Sequence, residues 1–98
     1  MKVKLEDRNL PDHSVFSVDF KDPEIIVTGE AVLTQDRAAV HKILGRFHEK
    51  DCVKFSAEDL DLREEKGIGM FSSIKIQEVE DPRSVPCSAY SFTLKKLQ

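Results

Sequence analysis

The sequence contains no tryptophan, one tyrosine and two cysteines among its 98 residues. Six phenylalanines supply the rest of its aromatic content, so platforms on which nucleic-acid bases could stack are scarce. Positive charge is not in excess either. The formal net charge is −3, spread evenly over both halves, whereas a dedicated nucleic-acid binder normally shows a basic face. No specific nucleic-acid partner is expected. Long hydrophobic runs are also missing: the longest near-apolar stretch is a few residues, against the ~20 needed to span a bilayer. No membrane partner is expected. The start of the chain, Met1 to Arg8, is charged throughout and lacks the apolar run of a signal peptide. Cys52 and Cys87 lie far apart and are too few for the scaffold of a small secreted domain. They are expected as buried or half-buried free thiols of a soluble chain made in a reducing cytoplasm.

Catalytic and metal-binding constellations are equally sparse. His41 and His48 are seven residues apart, two helical turns or roughly 10 Å along one helix, too far to share a metal. His48 and Cys52 are four apart, but Lys50-Asp51 ends the helix between them. A zinc site would have to recruit His13 and Cys87 as its remaining ligands, at spacings unlike those of known zinc sites. A Cys–His nucleophile pair would need a third, orienting group. Gly67-Ile68-Gly69 is followed by neither a Lys-Ser/Thr pair nor a helix start, so it is not a phosphate loop. The carboxylates of Glu58, Asp59, Asp61, Glu64 and Glu65 crowd one segment, but a solvated loop offers no desolvation to separate their pKa values. The expectation is a non-enzymatic protein with no catalytic residues, no metal and no cofactor.

What is present is a pattern of burial. A chain of this length forms one domain and buries roughly 60–65% of the surface it exposes unfolded. The polar first residues, ending at Leu10-Pro11-Asp12, predict an N-terminal arm over residues 1–13. Phe16, Val18 and Phe20 alternate with polar neighbours as a first strand. After a turn at Lys21 to Glu24, Ile25, Val27, Gly29, Ala31 and Leu33 mark one face of a long second strand. Ile26, Thr28, Glu30 and Val32 mark its other face. Gly29 in mid-strand predicts a bulge or a close approach of a neighbouring backbone.

Thr34 or Asp36 is positioned to cap a helix over Arg37 to Glu49. Val40, Ile43, Leu44 and Phe47 form its apolar stripe at i, i+3, i+4, i+7. Gly45 costs that helix roughly 1 kcal/mol relative to Ala, which a close approach of the sheet would explain. Cys52, Val53 and Phe55 begin a third strand. Ile74 and Ile76, with Val79 on the opposite face, mark a fourth; Tyr90, Phe92 and Leu94 mark a fifth. Glu80 to Pro86 joins these two as a hairpin. Between them and the third strand, Ser56 to Gly69 fits a short capped helix, an edge strand or a solvated acidic loop. The fold class is α+β: a curled antiparallel sheet of about five strands, as a small barrel or sandwich, with one packed helix. The helical stripe is expected to pack on Phe16, Val18, Val27, Ile74, Ile76, Phe92 and Leu94.

The order of these parts resembles that of small structural proteins of phage tails and related contractile injection machines. The resemblance covers roughly residues 14 to 96. It rests on the run Ile25 to Leu33, the single helix, the short strand at Val53, and a closing hairpin built from Ile74-Lys75-Ile76 and Tyr90 to Leu94. It implies a structural subunit of a tail tube or baseplate adaptor, acting through protein partners as a homo-oligomer or tail assembly, in the host cytoplasm or as a virion component. The alternative is a small monomeric interaction module or inhibitor that sets the acidic loop against a basic partner surface. A ring-forming subunit must leave apolar side chains and a strand edge for its neighbours. The candidates are Ile26, Val32, Leu60, Leu62, Ile68, Met70 and Phe71, flanked by Glu58, Asp59, Asp61, Glu64 and Glu65.

Overall fold

Apolar residues at every second position commit most of this chain to strands, and a single helix closes over the face they share. The computed structural model describes residues 1–80 and 82–97. Its elements are β1 (Lys2–Leu5), β2 (Arg8–Asn9), a 3-10 turn (Asp12–Ser14), β3 (Val15–Lys21), β4 (Glu24–Ala31), α1 (Thr34–Leu44), β5 (Cys52–Glu58), β6 (Glu64–Glu80) and β7 (Pro86–Leu97). The strands form one antiparallel sheet in the order β2-β1-β5-β6-β7-β4-β3. β2 and β3 stand at opposite ends of that order, so the sheet does not close, and it has seven strands where the sequence predicts about five. Of the loop joining β6 to β7, Asp81 lies outside the described residues.

The first ten residues are not an arm. Val3 and Leu5 alternate with lysines and are buried, β1 pairs along β5, and Leu10 is buried with its N–H donated to Val3 O at 2.9 Å. A four-residue alternation is too short to be read locally as a strand; pairing with a segment some fifty positions away is what establishes it.

The core follows the second-strand pattern closely. Ile25, Val27 and Ala31 of β4, Phe92 and Leu94 of β7, Phe71 of β6, and Val53 and Phe55 of β5 are all buried in one core cluster with Val40, Ile43 and Leu44 of α1. α1 lies against β4, β6 and β7, while Ile74, Ile76 and Phe47 are half-buried at its margin. Phe16 departs from the expected packing. A bulge between Val15 and Ser17 sets Val15 opposite Gly29 and Ser17 opposite Thr28. Phe16 is left without a partner residue and is 60% exposed; the extra residue of a bulge breaks the two-residue period.

β6 is bent for a similar reason. Seventeen residues at ~3.3 Å each would extend about 53 Å if straight, yet the longest dimension of the molecule is 44 Å. A second bulge between Phe71 and Ser73 contributes to the curvature.

The helix also differs from its predicted limits. It begins at Thr34 with Leu33 as its N-cap and no side-chain cap bond. Asp36 instead faces His13 of the 3-10 turn and forms a side-chain hydrogen bond with it. The helix ends at Leu44, so Phe47 and Glu49 lie beyond it. Gly45 is the C-cap and is exposed, its N–H donated to His41 O at 2.9 Å. It terminates the helix rather than accommodating the sheet.

Candidate protein interface

Ser56 to Gly69 resolves into a hairpin whose tip is built around one carboxylate. Asp59 Oδ1 accepts the N–H groups of Asp61 at 3.0 Å and Arg63 at 2.9 Å. The Asp59 N–H is donated to Arg63 O at 2.9 Å, and Leu62 adopts a positive φ of 64°. Side-chain capture of the backbone is a common way for Asp to hold a turn. Leu60 and Leu62 are consequently turned outward, 78% and 76% exposed. The acidic residues do not form one loop: Glu58 belongs to β5, Glu64 and Glu65 to β6, and only Asp59 and Asp61 occupy the turn. Glu65 receives Lys96 Nζ at 3.0 Å, which ties it to β7.

The tip stands beside the free edge of the sheet. Met1, Phe16, Phe20, Leu60 and Arg63 line a concavity of about 430 Å³ between β3 and the turn, with Asp59 and Asp61 on its acidic side. The Arg63 guanidinium lies 5.3 Å from the Phe20 ring centroid. β3 presents seven residues along an edge with no further strand. The opposite edge is blunted by the two-residue β2 and the Leu10–Val3 bond. An uncovered edge beside exposed apolar side chains is the surface type through which sheets join other chains.

The expected contact residues separate into three groups. Val32, Leu60, Leu62 and Ile68 are exposed, Ile26 and Met70 are half-buried, and Phe71 is fully buried. Phe71 therefore cannot be a contact residue: the bend of β6 turns it inward, between the rings of Phe47 and Phe92. Ile68 pairs with Leu97, which is also exposed, on the face opposite the helix.

A second concave surface was not visible from sequence. Ser56 of β5 is flanked across the sheet by Lys4 of β1 and Lys66 of β6, with Lys54 two residues along on the same face. These lysines, Arg46 and Phe47 line a groove of about 930 Å³ that also reaches Glu6 and Asp7. Lys66 pairs with Glu64 at 3.1 Å. Lys4, Arg46 and Lys54 form no ion pair among the described residues. Scattered over three strands and a loop, these cations form no run in the sequence.

Two polar clusters anchor the fold. Arg37 and His41, one turn apart on α1, meet Glu78 of β6 and Ser88 of β7. Arg37 Nη2 donates to Glu78 Oε2 at 2.9 Å, His41 Nε2 to Glu78 Oε1 at 2.5 Å, and Ser88 Oγ to Glu78 Oε1 at 2.8 Å. The Ser88 and His41 hydrogen bonds, then Arg37, hold the Glu78 carboxyl down to about 2. Although serine, histidine and a carboxylate are together, this is not a catalytic relay. Glu78 and Ser88 approach the same ring nitrogen, Ser88 at 3.3 Å, and the buried hydroxyl already donates to Glu78. A nucleophile needs its base on one ring nitrogen and the orienting acid on the other. The i, i+4 spacing of Arg37 and His41 was the only local signal for this cluster.

The other cluster is buried. The Tyr90 hydroxyl lies 2.9 Å from Ser14 Oγ, which donates to Pro11 O at 2.7 Å. Burial pushes the Tyr90 phenol up to about 12, partly opposed by the Ser14 bond. The folded value lies above that of a solvated tyrosine, about 10, so this contribution to stability is complete below about 10 and is lost as pH rises through about 12. Because Tyr90 is the only tyrosine, phenolate absorbance reads it directly. The midpoint is expected near 12 while the chain remains folded; a midpoint near 10 in the folded chain would show a solvated ring.

The remaining soft ligands are dispersed. His48 lies beyond α1, 85% exposed beside Asp51. Cys87 is buried, Cys52 is exposed rather than packed, and neither is in a disulfide. Among the described residues no three or more His, Cys, Asp or Glu side chains gather as a metal site, and no helix is long and apolar enough to cross a membrane. Comparison of the chain with protein-family models, with curated proteins and with solved structures gives no match.

Proposed function

We propose that this chain is a non-enzymatic structural subunit of a phage tail or tail-like assembly, a tube or baseplate-adaptor component that works through protein–protein contacts. The observation that supports this reading is the juxtaposition of an uncovered seven-residue strand edge with a hairpin tip bearing two leucines more than three-quarters exposed. Burying a side chain of that size is worth about 1.5–3 kcal/mol, so a chain that leaves three such groups, with Phe16, at one end gains by covering them with a partner. The resemblance in element order supplies the kind of assembly, in the host cytoplasm or in the virion.

The acidic tip supports a second reading, a monomeric module or inhibitor that presents Asp59 and Asp61 to a basic partner. Mass in solution separates the two. Sedimentation velocity over rising concentration is expected to show rings or larger assemblies, with Phe16→Ser weakening them. A strict monomer at the highest concentrations would discard the subunit reading in favour of the module.

A further inference from the structure

We infer that the β5–β6 hairpin tip of one copy docks into the basic groove of the next copy, giving a head-to-tail contact; this rests on the reading of the chain as an assembling subunit. The two surfaces are complementary in both charge and polarity. The tip exposes Leu60 and Leu62, which alternate with Asp59 and Asp61 along the turn, with Glu58 and Glu64 paired at its base. The groove is lined by Lys4, Arg46, Lys54 and Lys66 together with the half-buried Phe47 and the two carboxylates of Glu6 and Asp7. Lys66 already has Glu64 as its counter-ion. Lys4 and Lys54, gathered on one sheet face about Ser56, and Arg46 form no ion pair among the described residues. Like charges gathered on one sheet face are unfavourable without a counter-charge. Carboxylates of an incoming tip would supply it.

A chain cannot satisfy its own groove in this way. The ladder running from Glu58↔Glu64 through Ser56↔Lys66 to Phe55↔Gly67 holds the tip at one end of the hairpin and the groove farther along the same two strands. The tip must therefore enter another molecule. Donor and acceptor surfaces differ, so the contact is heterologous, and repetition yields a closed ring or an open filament according to the rotation per step. At about 930 Å³ the groove has the volume of sites that receive a bulky group, ~300–1,000 Å³.

The test uses the full chain and two surface variants. One carries Leu60→Ser and Leu62→Ser and keeps Asp59, which shapes the turn; the other carries Lys4→Glu and Lys54→Glu. Circular dichroism checks that both fold. Wild type is expected to assemble, less so at high salt, with each variant alone monomeric and at least ~tenfold weaker in association. An equimolar mixture is expected to stop at a two-chain complex, because only one intact tip and one intact groove remain per pair. If the variants assemble as wild type does, or if the mixture stays monomeric while wild type assembles, the hairpin–groove contact is overturned and the subunit reading stands. If wild type is itself monomeric, both fall; saturable binding of pyrophosphate by that monomer, lost in the lysine variant, would then assign the groove to a phosphate-bearing ligand.

Discussion

Phe71→Ala is expected to destabilise the chain by about 3–5 kcal/mol, the range for removing a large aromatic ring from a core. The side chain is fully buried, with its ring centroid 5.1 Å from that of Phe47 and 5.7 Å from that of Phe92. It joins three segments: the bent middle of β6, the start of the chain between α1 and β5, and the centre of β7. Its backbone is committed to the same junction, since the Phe71 N–H is donated to Asp51 O at 3.0 Å and its carbonyl accepts from Lys50 at 2.7 Å. A cavity there has rigid walls and little freedom to collapse. Domains of this kind have about 5–15 kcal/mol of total stability, so the variant should lose at least about 1 M in urea midpoint with little change in slope. Phe47→Ala, half-buried beyond the helix end, should cost about half as much. A cost below about 1 kcal/mol for Phe71→Ala would show that β6 does not carry the core at this point.

The contrast between these phenylalanines shows which parts of the fold were legible in the residues. Where a strand runs without interruption and one face is fully buried, the period of two is sufficient: Ile25, Val27, Gly29 and Ala31 face the core as their spacing predicts, and so do Tyr90, Phe92 and Leu94. The same rule fails at Phe16, which a bulge leaves unpaired, because one unpaired residue inverts the faces on either side of it. Phe71 is a different case, expected in a loop ahead of the fourth strand and found inside the long β6. The bulge of β3 sits opposite Gly29 and Thr28, beside the glycine whose place in mid-strand predicts a bulge or a close approach. The bulge of β6 has no local signature and is set by the register of the neighbouring strands. The first strand was missed for the same reason at longer range, as Val3 and Leu5 acquire their meaning only beside Phe55 and Ala57.

The candidate interface was legible in part. Leu60 and Leu62 stood out as apolar residues in an acidic segment, and they are exposed. The Asx turn that exposes them depends on Asp59 Oδ1 reaching two and four residues ahead, a local pattern read in sequence only as charge. The basic groove could not have been found in this way. Lys4, Lys54 and Lys66 converge only after three strands are laid side by side, and an acidic net charge conceals a basic surface.

Gly29→Ala is expected to cost about 3 kcal/mol, at the upper end of the usual overpacking range. Gly29 pairs with Tyr90 across β4 and β7 and with Val15 of β3. A Cβ built there would lie 2.3 Å from Ser14 O and 2.4 Å from Tyr90 Cζ and Oη. The tyrosine ring could swing aside only by breaking its hydrogen bond to Ser14, leaving buried polar atoms unpaired at about 1–3 kcal/mol. The Ser14 carbonyl cannot move independently, because its own N–H and side chain are both tied to Pro11 O. Removing glycine's conformational freedom would return about 0.4–1 kcal/mol, too little to offset the clash. The melting temperature should fall by roughly 10–20 °C. Gly69→Ala is the control: its Cβ would meet the Phe55 ring at 3.3 Å and Leu94 Cβ at 3.4 Å, with no backbone carbonyl in the way, and a small adjustment of the ring admits the methyl. Equal losses at the two glycines would mean that strand entropy, and not the closed space beneath Tyr90, selects glycine at position 29.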